Sequence, residues 1–434
     1  MICTIISLAG SHLLYLKKER RKRMTSVHDK KRSILALLAL AASAFAIGTT
    51  EFISVGLLPL IAEDMNISVT TAGLTVSLYA LGVTVGAPVL TSVTSSMPRK
   101  ALLLVIMLIF MIGNGLAACA GSIGVLLTAR VISAFSHGVF MSIGSTIAAS
   151  LVPADKRAGA ISIMFTGLTI AMITGVPIGT FLGQQFGWRI AFAAIVAVGA
   201  LAFIANSLLV PGDLPKGVRT SFKSQLKLVT NGRLLLLFII TALGYGGTFV
   251  VFTYLSPLLQ HVTGFKQEAV AVILLAYGIA VALGNIIGGK AANKKPLTAL
   301  FYMFIAQAAV LLILTAAAPY QAAGFIVIML MGFLAFMNVP GLQSYVVILA
   351  ERFVPGAVDV ASAVNIAAFN VGIAIGSYTG GAITQSIGLI HTPWVGALMV
   401  LGAVVLTGWS RALERNDQKQ NDQKQNQALK ENCA

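Results

Sequence analysis

Charge is what this chain has least of. Only 10 % of its 434 residues are charged and only 14 are acidic, against about 25 % charged in an ordinary soluble domain. So few charges cannot cover a globular surface with a polar shell, which excludes a soluble enzyme and a disordered chain alike. Cysteine is scarce too. Cys3, Cys119 and Cys433 are scattered, without CxxC or metal-ligand spacing, so neither a disulfide framework nor a metal site is expected. There is no Walker A loop, no GxGxxG at a strand–helix junction and no nucleophile triad. No enzyme, no catalytic residue, no cofactor and no ATP-driven pump is therefore expected. A cleavable signal peptide is also missing, because the apolar run at 2–16 precedes the basic cluster instead of following it. As a helix that run is about 22 Å long, short of the ~30 Å hydrocarbon core of a bilayer. Met24 opens a more ordinary sequence, and 1–23 read as an extension from a misplaced start.

What the chain does have is apolar length. Hydrophobic residues make up 57 % of it, and the mean hydropathy is +0.89. Segments long enough to span a bilayer fall at 34–61, 71–94, 100–119, 124–150, 159–182, 190–210, 234–259, 267–289, 298–317, 323–350, 359–386 and 393–411. In lipid every backbone polar group needs an internal partner, and runs this long lack the period-2 alternation of a barrel, so all twelve are expected to be helices. Lysine and arginine set the orientation. Nine lie in 1–32, five in 216–233 and five from Arg411 onward, whereas the loops on the other side keep only Arg189 and Lys266. Both termini are thus expected in the cytoplasm. The basic balance is positive-inside bias, which removes nucleic acid as a partner.

The expected organisation is a basic cytoplasmic tail (1–32), a six-helix half (33–210), a cytoplasmic loop (211–233), a second six-helix half (234–411) and a polar, disordered tail (412–434). A short amphipathic helix is expected over 221–228. The tail repeats Asn-Asp-Gln-Lys-Gln at 416–420 and 421–425. The halves are related: a shift of 198 places Gly48, Thr50, Pro59, Tyr79 and Gly86 on Gly246, Thr248, Pro257, Tyr277 and Gly284. A shift of 201 places Gly175, Gly179, Gln184 and Gly187 on Gly376, Gly380, Gln385 and Gly388. Both halves start on the same side, so the repeat is parallel. Transporters built this way bind substrate near the midplane between their halves.

Most acids lie in loops, tails or helix ends. Glu51 does not. A carboxylate at its depth costs about 2.5–3.5 kcal/mol and should face the bundle interior or a watered cavity. Its repeat counterpart is Phe249, so the charge belongs to one half only. Arg130 is the one basic residue fully inside a segment. Glu51 and Arg130 are about 15 and 9 Å deep, placed to pair or to share a water network. His137, two turns beyond Arg130 on a similar face, would suit a proton relay. These three are the candidate proton-coupling residues; the bland alternatives are a protonated glutamate, a fixed ion pair and a packing histidine. Gly175, Pro177, Gly179 and Gly183 line one stretch of the fifth segment, where small residues admit a neighbouring backbone and proline kinks the helix. In the eleventh segment the proline's place is taken by Tyr378, confining that kink to one half. Tyr245, Phe249, Tyr254, Tyr277, Asn338, Gln343, Asn365 and Asn370 offer an aromatic and amide lining for an uncharged or amphipathic molecule, or equally the glue between helices. Trp394 and Trp409 read as interfacial anchors.

From about 33 to 411 these residues resemble the major facilitator superfamily, specifically its 12-helix drug:proton antiporter branch and the arabinose-, sugar- and nucleoside-efflux-like subgroup. Thr49-Thr50-Glu51-Phe52 with Gly56-Leu57-Leu58-Pro59 resembles the helix 1 signature, and Leu126-x3-Arg130 the helix 4 arginine motif. Ser136-His137-Gly138 is similar to that motif's continuation. Gly175-Val176-Pro177-Ile178-Gly179-Thr180 resembles the antiporter motif, and Gly187-Trp188-Arg189 the turn that follows. The loop before the third helix keeps only the basic pair Arg99 and Lys100 of the family's gating motif. Loop 288–294 has Asn293 where an acid would fall. The resemblance implies export of drug-like molecules or metabolites by a monomer in a bacterial inner membrane. Protons moving down their gradient supply the energy, with Glu51 and Arg130 as coupling elements. A dedicated purine nucleoside, base or sugar exporter is the nearest alternative, and a membrane sensor that binds ligand without transport is the alternative of another class.

Overall fold

The computed structural model describes residues 2–94, 97–153, 157–212, 214, 228, 230–292, 295–354 and 358–432. The helix expected over 221–228 lies outside these apart from Leu228, as do Asn293 and Lys294 of the second gating loop. Among the described residues twelve helices are long and apolar enough to cross a membrane. They are α1 (Ile2–Asp64, crossing as Arg32–Asp64), α2 (Val69–Thr94), α3 (Arg99–Ala118), α4 (Ile123–Ser150), α5 (Gly159–Phe186) and α6 (Trp188–Leu209) in the first half. The second half comprises α7 (Gly232–His261), α8 (Gln267–Ala292), α9 (Pro296–Ala317), α10 (Gln321–Phe353), α11 (Val358–Ser386) and α12 (Thr392–Asn432). Every expected segment is found, with ends displaced by a few residues. Twelve crossings bring the chain back to the end of the bundle where it entered, called here the termini end.

The outward surface is apolar. Leu208 and Val405 are 77 % and 69 % exposed, an arrangement that only lipid solvates favourably. One hydrophobic core lies in the first half and takes in Tyr254, and the other fills the second half and reaches into the first through Phe52, Val55, Val76, Ala80, Met172 and Val176. The halves meet where α2 packs along α11 and α8 packs against α5.

Three internal prolines disturb their helices in a regular way, whereas Pro59 leaves α1 helical. Proline has no N–H and its ring crowds the carbonyl four residues earlier. The residues four before Pro177, Pro257 and Pro340 are Ile173, Thr253 and Phe336. Around Ile173 the chain forms a π-helical turn, Ala171–Gly175. Around Thr253 α7 breaks between Gly232–Phe252 and Leu255–His261, and at Phe336 α10 breaks between Gln321–Ala335 and Val339–Phe353. The helix opposite α5 in the repeat, α11, runs unbroken past Tyr378.

The repeat is visible in the backbone. Gly187 and Gly388, equivalent by the shift of 201, both turn the chain with positive φ, 89° and 103°, where only glycine is unstrained. Thr50 on α1 bonds Asn114 on α3 (3.1 Å), and Thr248 on α7 accepts from Gln307 on α9 (3.1 Å). Where the sequence leads one to expect a disordered tail from 412, α12 is helical to Asn432. Its glutamine, lysine, glutamate and alanine are good helix formers, and Asp417 ties it to Arg233 (2.7 Å) and Arg352 (3.4 Å).

Candidate functional site

Arg130 is 1 % exposed, and its guanidinium stitches three helices together. Nη1 donates to the Thr50 carbonyl (2.6 Å), Nη2 to the Glu51 carbonyl (3.2 Å) and Nε to the Thr75 carbonyl of α2 (3.1 Å). A carbonyl already bonded within its helix keeps a second lone pair for such a donor. The cation also lies over the Tyr79 ring, 4.2 Å from its centroid. Tyr79 in turn meets His137, hydroxyl to Nδ1 at 3.2 Å. Arg130, Tyr79 and His137 thus form one buried chain between α2 and α4, with α1 held by its backbone.

Glu51 is where the expected picture changes. The glutamate and the arginine are neighbours, but they are not joined carboxylate to guanidinium. The ion pairs among the described residues are Arg189–Asp64, Arg233–Asp417 and Arg352–Asp417. Arg130 takes the Glu51 carbonyl instead, because α1 presents two successive carbonyls to its planar fork. The Glu51 side chain is half-buried, with no hydrogen bond or ion pair among the described residues. Its electrostatic neighbours are Arg130, Tyr79 and, from the other half, Tyr245.

Tyr245 opens an aromatic cluster in the second half. It lies 5.0 Å from Phe249, 5.3 Å from Phe336 and 4.9 Å from Phe369, centroid to centroid. Phe252 continues it to Tyr277 at 5.2 Å. Phe52, the residue after Glu51, inserts from the first half, 6.2 to 6.3 Å from Phe249, Phe252 and Phe336. The break in α10 is what turns Phe336 inward.

Of the expected lining residues, Tyr245, Phe249 and Tyr277 join this cluster. Asn338 and Asn370 are buried, each with its amide oxygen unpartnered, as is the Tyr277 hydroxyl. Asn365 does not belong with them. It accepts from Thr241 (2.8 Å) and donates to Gln343 (2.6 Å), spending its amide as a tie between α7, α10 and α11. Tyr254 is likewise placed apart from the cluster: its hydroxyl donates to the Ser377 carbonyl (3.2 Å) and lies against Gly73 and Gly381, where α7, α11 and α2 meet. Tyr79, Phe52, Phe336 and Phe369 are additions that the sequence reading missed. The tyrosine carried a signal, its repeat partner Tyr277, whereas the phenylalanines looked like any apolar residue of a membrane helix.

Gly175, Gly179 and Gly183 face α1, where a methyl group would collide with Thr49, Ile53 and Leu57 in turn. Met172 and Ile173 of the adjoining π turn lie on Gly278 of α8, so Pro177 helps shape a contact between halves. Lys100 donates to the Ser207 carbonyl (2.8 Å), capping α6, a favourable place for a cation. Arg99 Nε is buried and unpartnered, and among the described residues neither is bonded to the second half. The cross-half hydrogen bonds among the described residues all lie toward the far end: Thr70 to Gly381 (3.1 Å), Gln184 to Gln267, and a long one from Ser256 to Gly56 (3.5 Å).

Comparison with known proteins agrees with this architecture. The family model of the Major Facilitator Superfamily matches residues 40–352. The chain is 74 % identical over 397 residues to YtbD, an MFS-type transporter of Bacillus subtilis (strain 168), a match covering 92 % of this chain and 100 % of YtbD. It is 37 % identical over 374 residues to the inner membrane transport protein YdhP of Escherichia coli (strain K12), covering 85 % and 94 %. Among solved structures, the human organic anion transporter MFSD10 (TETRAN) superposes with a TM-score of 0.65 at 16 % identity, covering 87 % of this chain and 99 % of that one, a likeness of fold alone. A bundle of two related six-helix halves, an unpaired acid between them and relatives of this kind make the chain a multi-pass membrane transporter of the major facilitator superfamily.

Proposed function

We propose that the protein exports small uncharged or amphipathic organic molecules in exchange for protons, as a monomer in a bacterial cell membrane with both termini in the cytoplasm. The observation that carries this reading is the Glu51 carboxyl, half-buried, without a hydrogen bond or ion pair among the described residues, and within electrostatic reach of Arg130 and of Tyr245 from the other half. A group so placed changes its proton affinity when the halves move, because desolvation favours its neutral form and the nearby cation its charged form. Substrate and proton then favour different states of the same rocking bundle, and their competition is antiport. Arg130 acts as a positioning residue here, since its three bonds hold the backbone that carries Glu51. The bulk of the site is aromatic and its free polar atoms are amide oxygens and a phenol, a lining suited to flat molecules bearing N–H donors. Purine bases and nucleosides are therefore the favoured substrates of a dedicated exporter, ahead of sugars.

The test uses everted vesicles with an acid interior, a fluorescent pH probe and a panel of drugs, nucleobases, nucleosides and sugars. Wild type should discharge the gradient with at least one compound, and Glu51→Gln with none, at equal protein levels. Discharge by both at the same rate would overturn the assignment of Glu51. Tight ligand binding without flux in either would point to a sensor.

A further inference from the structure

At the termini end, away from the transport site, a cavity of about 490 Å³ opens between α7, α10 and α12. Its walls change character along its length. Asn231 and Arg233 line one end, while Leu236, Ile239, Phe353 and Trp409 line the rest. Ile239 and Trp409 are exposed on the lipid-facing surface, so the apolar part faces the acyl chains. The polar part lies where α7 begins and α10 ends, at headgroup level.

The polar end is built of donors. Arg233 uses only Nη2, which bonds Asp417 (2.7 Å) and the Leu413 carbonyl (3.4 Å); Nε and Nη1 have no partner among the described residues. The Asn231 side chain accepts from the backbone N–H groups of Arg233 and Leu234 (3.1 and 3.2 Å) through Oδ1, which leaves the amide hydrogens free. No acidic residue lines the cavity. Asp417 is shared between Arg233 and Arg352. A guanidinium fork beside an amide is suited to a phosphate diester, and a tryptophan at headgroup level prefers an occupant that is apolar below and polar above.

We propose that this cavity binds an anionic phospholipid from the adjacent leaflet, its phosphate on Arg233 and Asn231 and its upper acyl chain along Leu236, Ile239 and Trp409. The ligand is a lipid and not a free anion, because most of the wall is apolar and open to the hydrocarbon. Its chemistry is that of other basic pockets between membrane helices that hold acidic headgroups.

The protein is purified from a membrane mixture of equal phosphatidylglycerol and phosphatidylethanolamine, and the retained lipids are counted by native mass spectrometry. Wild type should retain phosphatidylglycerol in preference, and Arg233→Gln should lower that preference about tenfold, the worth of one charge-assisted hydrogen bond. Arg233→Gln also breaks the pair with Asp417, so Asp417→Asn is the deciding variant. It breaks the same pair while freeing the arginine, and should leave phosphatidylglycerol retention equal or higher. Arg415→Gln, which removes an exposed arginine that does not line the cavity, should change nothing. No preference in wild type, an equal fall in Asp417→Asn and Arg233→Gln, or displacement of the lipid by excess inorganic phosphate would each overturn the proposal.

Discussion

Tyr79 and Tyr277 hold equivalent places in the two halves, yet their hydroxyls end differently. Tyr79 meets His137 and lies under the Arg130 cation; Tyr277 stacks on Phe252 with its hydroxyl unpartnered. The contrast extends around them. Glu51 has Phe249 as its counterpart in the second half, and Pro59 leaves α1 helical where Pro257 breaks α7. Both halves pack a row of glycines on their first helix, but α5 places Gly175, Gly179 and Gly183 against side chains of α1. The second half places Gly372, Gly376 and Gly380 directly against the carbonyls of Ala242, Gly246 and Val250. One backbone plan therefore supports a half that carries charge, held by polar bonds, and a half that is aromatic and more tightly joined. An asymmetric cycle needs only that difference.

The comparison can be broken most severely at Glu51. Glu51→Gln should abolish uphill export while leaving downhill exchange of labelled substrate in liposomes measurable; Phe249→Glu on that background should not restore it, because the second half has no Arg130 to set the new acid. Next in size is Arg130→Lys. An ammonium cannot reach three carbonyls as a planar fork does, and the lost charge-assisted bonds should cost about 2–4 kcal/mol in thermal or denaturant unfolding. The glycine rows come third. Gly376→Ala meets backbone that cannot yield and should destabilise by about 3 kcal/mol, whereas Gly179→Ala meets the far end of Ile53 and should cost about 1 kcal/mol. Equal losses would show that the halves are packed alike. Smallest are the tyrosines: Tyr79→Phe should cost about 1 kcal/mol for its lost hydrogen bond and Tyr277→Phe almost nothing, both read from the unfolding midpoint in detergent.

The architecture was legible because lipid leaves a chain so few choices. Apolar length alone located twelve helices, and the rarity of buried charge singled out Glu51 and Arg130 before any geometry was known. Which way a side chain faces was not legible. In a helix that is apolar on every side, nothing distinguishes Phe336 at the cluster from Ile326 on the surface. For the same reason nothing in the sequence marked Tyr254 and Asn365 as residues whose polar groups bond neighbouring helices. Proline marked the places where α5, α7 and α10 depart from regularity, but not the form each departure takes. The relation between Glu51 and Arg130 escaped because hydrogen bonds to backbone carbonyls leave no trace in residue identity. The form of the tail was not legible either, because a polar repeat looks the same whether it is solvated coil or solvated helix.

The cross-half hydrogen bonds among the described residues contribute to how hard the bundle is to turn over. Two ordinary bonds and one long one, between uncharged groups, amount to about 1–4 kcal/mol. Moving a population from 1:99 to 99:1 takes about 5.5 kcal/mol. A latch of that strength is within the reach of a single protonation or a single ligand. The resting protein should therefore interconvert on its own at a low rate, and leak would be governed by how seldom both exits are unlatched together. Strengthening Thr70–Gly381 or Gln184–Gln267 would slow interconversion without touching Glu51 or Arg130.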